Sequence, residues 1–253
     1  MIAFWKKEWL EQLRSGKLVI LGILFVLFGI MNPAVAKLTP WLLEVMAESM
    51  AQGGMTITVG EVTAMDAWVQ FFKNIPMALI VFVLMESSIF TKEHQTGTLL
   101  LSLTKGLARW KVLAAKALML ILLWTFGYWL CFGITYCYST YFWDNSIAQN
   151  LTFSAVCWWV FGLWVLSLLV LFSALVNENS LVLVGTGSIV LVSSLLHFFP
   201  KLQKFLPTGL TDGNSLIYGL LDTDRYTSAI VVAAAMCIAC FVASIPIFNK
   251  KHL

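Results

Sequence analysis

The chain has 253 residues, of which 60% are apolar and only 11% charged, with a formal charge of +3. Sixteen basic and thirteen acidic residues cannot cover the surface of a soluble domain of this size. Soluble globular, disordered, collagen-like, coiled-coil and disulfide-scaffold classes are excluded, and the composition is that of an all-α membrane protein.

The first element in chain order is an amphipathic helix over residues 1–16. Ile2, Trp5, Trp9 and Leu13 recur at helical spacing, while Lys6, Lys7, Glu8, Glu11 and Arg14 fall on other faces. Tryptophans at headgroup depth and lysines towards phosphates suit a helix lying in the membrane interface, read either as a functional elbow or as a plain anchor. Six apolar runs follow, each close to the roughly 20 residues that a crossing helix needs. They cover residues 17–35, 68–90, 112–137, 152–176, 180–198 and 227–248. The fourth and fifth are parted only by Asn177, Glu178 and Asn179, which predicts a tight helical hairpin.

Two connecting segments carry a pattern of their own. In the loop 91–111, Glu93 and His94 precede Gly97 and Thr98, a pair suited to ending one helix and capping the next. Leu99, Leu100, Leu101 and Leu103 then predict a short apolar helix, closed by Lys105 and Gly106 before Arg109 leads into the third crossing. A short helix between polar turns suits docking in a partner's groove; the alternative is that its positive charges only fix topology. The segment 199–226 has amphipathic pieces at 201–205 and 215–221 around a turn-rich middle, too short to cross a bilayer.

Orientation follows from the basic residues. Six crossings put both termini on one side, and that side receives 11 of the 16 Lys and Arg residues, which predicts cytoplasmic termini. Five cysteines, Cys131, Cys137, Cys157, Cys237 and Cys240, lie in apolar runs and read as small hydrophobes. His94, His197 and His252 are too scattered to hold a metal, no catalytic motif occurs, and the phosphate-loop pattern GxxxxGK[ST] is absent.

Within the crossings, Glu86 is the foremost candidate, because an ionisable residue at membrane depth is functional by default. It pairs with Lys92 or Lys116, or it faces a central path as a gate. Trp124 and Trp158 stand for a larger aromatic set that either lines a path for a hydrophobic or amphipathic cargo or packs against lipid and neighbouring helices. Gly22 and Gly29 in the first crossing, with Gly185, Gly187 and Ser188 in the fifth, are small positions that permit close helix approach, in packing or in a dimer seam.

The order of features resembles the permease subunits of ABC-2 type transporters. The loop carries the specific match, with Glu93, Gly97, Thr98, Leu99, Leu103, Arg109, Ala115 and Lys116 at the pattern's positions. Thr104 and Lys105 stand where that pattern has a proline, and Glu93-His94 replaces its Glu-Arg pair. The resemblance implies an elbow helix followed by six crossings in a type V exporter-like fold. It also implies a cytoplasmic coupling helix contacting an ATPase subunit, re-entrant pieces between the fifth and sixth crossings, and assembly as a homodimer or heterodimer. ATP and Mg are then expected on the partner subunit and no cofactor on this chain. Small bacterial permeases of this kind resemble exporters of antimicrobial or amphipathic peptides, in the cell membrane. The rival expectation is a secondary transporter or channel that uses no nucleotide, which calls for paired broken helices or several buried charges.

Overall fold

The computed structural model describes residues 2–51, 61–95, 108–199 and 201–250. Ile2–Arg14 is the predicted interfacial helix, α1. Gly16 adopts the left-handed backbone region, with φ of 72°, which a side chain would strain, and so ends α1 and turns the chain into α2. The helix α2 runs Lys17–Ala51, well past residue 35. Pro33 and Pro40 lie inside it, although proline usually ends a soluble helix. In a membrane protein, neighbouring helices and local adjustments satisfy the freed backbone groups, so the helix continues.

The second crossing is made of two helices, α3 (Ala64–Glu86) and α4 (Ser88–Gln95), broken at Ser87. The Thr63 amide donates to Asp66 Oδ2 at 2.9 Å, which fixes the start of α3. The helix α5 covers Arg109–Phe142, α6 Leu151–Leu175, α7 Asn179–Leu196 and α9 Asp224–Lys250. Six helical spans are long and apolar enough to cross a membrane: Lys17–Leu42, Ala64–Thr91, Arg109–Phe142, Leu151–Leu175, Asn179–Leu196 and Asp224–Lys250. Every element among the described residues is helical, so the all-α membrane fold is as the composition predicts.

The predicted amphipathic pieces at 201–205 and 215–221 are shorter than expected. The first contracts to a 3₁₀ turn at Gln203–Phe205, with a second turn at Pro207–Thr211, and the other to α8, Gly213–Ile217. Asp212 caps α8, its Oδ1 accepting from the Ser215 hydroxyl at 2.8 Å. At the same end of the molecule, the Ser146 hydroxyl and amide hold the exposed Asp144 carboxyl below the usual carboxylate range.

Helix α2 packs on α3 and α5, and α9 packs on α6. The shared core is aromatic: Phe25, Phe82 and Tyr128 surround Trp124, and Trp68, Phe71 and Phe132 continue the stack. Ring pairs here are tilted or edge-on, the arrangements that the ring quadrupole favours. Tyr128 keeps its hydroxyl satisfied by donating to the Ala155 carbonyl at 2.7 Å. Gly162 lets α6 approach: a Cβ there would stand 2.3 Å from the Trp124 indole.

A polar triad crosses this apolar interior. Asn74 donates to Asn32 Oδ1 at 2.9 Å, Asn32 donates to Thr135 Oγ1 at 3.2 Å, and Thr135 donates to the Gly29 carbonyl at 3.1 Å. It ties α2, α3 and α5 together where polar groups have no water to fall back on. Asn32→Leu is expected to cost about 1–2 kcal/mol, because it strands two partners at once. A lowered midpoint in thermal unfolding of the detergent-solubilised protein would show it.

Candidate functional site

At the end of the bundle that carries both termini, α1 lies against the crossings with one buried polar face. Glu8 and Gln12 are 3% and 6% exposed, so α1 does not turn all its charges to the interface as its sequence pattern predicts. Lys116, at 2% exposure near the start of α5, donates to Glu8 Oε2 at 2.9 Å and to the Ile89 carbonyl at 2.9 Å. Lys7 also lies 3.6 Å from Glu8. Gln12 Nε2 donates to Glu86 Oε2 at 2.8 Å. Lys17 donates to the Met85 carbonyl at 2.7 Å and to Ser88 Oγ at 3.3 Å, placing a cation on the open C-terminal end of α3.

This polar latch joins four pieces: α1, the start of α2, the break between α3 and α4, and the start of α5. A buried ion pair tolerates little change in geometry, since desolvated charges must stay paired. The end of α3 and the start of α5 are thereby both tied to α1. The two ends bracket residues 96–107, which hold most of the expected partner-contact segment.

The expected site residues fare differently. Gly97, Thr98, Leu99, Leu100, Leu101 and Leu103 lie outside the described residues, and Glu93 belongs to α4. Arg109 opens α5 and donates through Nη1 to the Asn249 carbonyl at 3.0 Å, fastening α5 to the last turn of α9. Glu86 is wholly buried and accepts a hydrogen bond from Gln12, while the side chain of Lys92, one of its two expected partners, lies outside what the structure describes. Lys116 is committed to Glu8, a partner 108 residues away that no local pattern reveals.

Trp124 is also placed otherwise than a path residue would be. It is fully enclosed by the aromatic core, and its indole N–H donates to the Trp159 carbonyl at 3.3 Å. Its bulk fills the space that Gly162 opens, so its role here is packing. Trp158 does face a cavity. A groove of about 690 Å³ runs between α3, α6 and α7, with Trp158, Phe161, Pro76, Leu79, Thr186 and Val190 among its walls. It is large enough for an elongated apolar ligand. Lys73 stands at one end of it.

Of the small positions, Gly29 packs α2 against Ile134 of α5, and Gly185 packs α7 against Phe172 of α6. These two serve contacts within the chain. Space is open beside Gly22 and Gly187, and Ser188 is exposed.

Comparison with known proteins agrees with this architecture. The chain is 24% identical over 220 residues to an uncharacterized transmembrane protein, YxlG, of Bacillus subtilis (strain 168), a match covering 82% of this chain and 80% of the relative. Residues 2–206 match the family described as ABC-2 family transporter proteins. That match takes in α1, the first five crossings and the loop at 91–111, so the chain belongs to the ABC-2 transporter family, as a membrane-embedded permease component of an ABC transporter.

Proposed function

We propose that the protein is the transmembrane subunit of an ATP-driven exporter in a bacterial cell membrane, with both termini in the cytoplasm. Two permease chains, identical or related, work with two ATPase subunits that bind ATP and Mg. Residues 97–103 form the contact with the ATPase, and the cargo is a hydrophobic or amphipathic molecule such as a peptide, antibiotic or lipid. The observation that carries this reading is the latch. The end of α3 and the start of α5 are each tied by a buried polar contact to the elbow helix, and Lys116 also ties α5 to the start of α4, so movement reaching these elements is passed to the bundle.

The groove supports the cargo class, being apolar, elongated and walled by three different crossings. Open small positions at Gly22, Gly187 and Ser188 leave α2 and α7 free to form a seam between copies, with Gly187 where that seam meets the groove. The absence of a phosphate-binding loop in the sequence is why hydrolysis is assigned to another subunit.

Purification of the tagged, detergent-solubilised protein from its own host tests the assignment. A P-loop ATPase is expected to co-purify in stoichiometric amount. Leu101→Asp is expected to remove it while leaving the permease folded, because a carboxylate in an apolar contact is costly to desolvate. A permease that purifies alone under mild conditions, with no nucleotide-dependent partner, would overturn the reading in favour of a nucleotide-independent transporter.

A further inference from the structure

The walls of the groove between α3, α6 and α7 are apolar except at a few places, and one of these is a cation. Lys73 is exposed to it and has no ion pair or hydrogen bond among the described residues. It lies nine residues into α3, about 13 Å along its axis.

An ammonium is a donor only and carries a full positive charge. Among the described residues no carboxylate lines the groove. The complement is an acceptor-rich, negatively charged group carried on an apolar body, and a cationic amphiphile would be repelled.

We propose that the groove binds an anionic amphiphile drawn from the bilayer, with its apolar chain along α3 between Phe72 and Leu84 and its acidic head on Lys73. That stretch of helix is about 18 Å long, enough for an extended acyl chain. The proposal rests on the groove being the cargo path, and it narrows the cargo from amphipathic molecules in general to those with an acidic head. Glu86, the sequence's candidate gate, is buried in the latch and is not among the residues that line the groove.

The test uses the full-length protein in phosphatidylcholine nanodiscs and two fluorescent single-chain probes of equal chain length, one with a phosphate head and one with a choline head. The phosphate probe is expected to bind about tenfold more tightly, the equivalent of one charge-assisted contact. Lys73→Gln is expected to bring the two probes to parity, and Lys73→Arg to keep the preference. Ile80→Trp, which adds bulk at the groove wall, is expected to weaken both probes. Equal binding of the probes to the unaltered protein, or an unchanged preference in Lys73→Gln, overturns the acidic-head assignment. Unchanged binding in Ile80→Trp overturns the location. Exclusion of both probes, with cysteines at positions 80 and 190 cross-linking between copies, would assign the groove to a second copy instead. Because binding needs no ATPase, failure here is separable from failure of the permease reading, which the co-purification decides.

Discussion

Glu8→Leu is expected to destabilise the protein by about 3–5 kcal/mol, the cost of leaving one member of a buried ion pair without the other. Lys116 is 2% exposed, and Glu8 Oε2 is 2.9 Å from its ammonium. With the carboxylate gone, the ammonium keeps the Ile89 carbonyl but loses the acceptor that sits 2.9 Å away. Removing both charges should behave differently. Glu8→Leu combined with Lys116→Met replaces the pair with apolar side chains of similar bulk, and the double variant is expected to regain most of the lost stability. Reversible unfolding in mixed detergent micelles, run as a double-mutant cycle, checks this. Additive losses in the cycle would sink the claim that the two residues act as a pair. The double variant also separates holding from transmitting. If the latch conveys movement, a stable protein lacking it should still bind its ATPase yet transport poorly.

Trp124→Ala is expected to cost a similar amount, about 3–5 kcal/mol, for a different reason. The indole fills a space enclosed by Phe25, Phe82 and Tyr128, and nothing nearby can collapse into the void without breaking those ring contacts. Gly162→Ala attacks the same spot from the other side, since the added carbon would meet the ring at 2.3 Å. Trp158→Phe is the informative contrast. Its ring borders the groove and its N–H bonds to nothing among the described residues, so the change is expected to cost less than about 1 kcal/mol in stability. Unfolding midpoints of the three variants in one detergent provide the comparison. A loss in Trp158→Phe as large as in Trp124→Ala would place Trp158 in the packed core after all.

How much of this the sequence disclosed depends on the range of the interaction. Six crossings, their order and the interfacial helix are legible because each is a local run of apolar residues or a local period. The full reach of α2 is not, since the residues beyond 35 bring in Lys37 and Pro40, which read as breakers when tertiary support is invisible. Gly29 and Gly185 are legible as points of close approach, whereas their partners Ile134 and Phe172 emerge only once helices are placed. The latch was the least legible part. Lys116 looks like one more topological charge, and Glu8 like a water-facing residue, until a contact across 108 residues joins them. The groove is likewise a property of three helices at once, so Lys73 gives no local sign of facing it.

The distance along the chain between Glu8 and Lys116 also bears on how the protein is made. Synthesis delivers the acid first and the base only after two crossings have entered the bilayer. Their 2.9 Å pairing therefore forms only once the third crossing is in place, so the N-terminal helix takes its final seat late in synthesis.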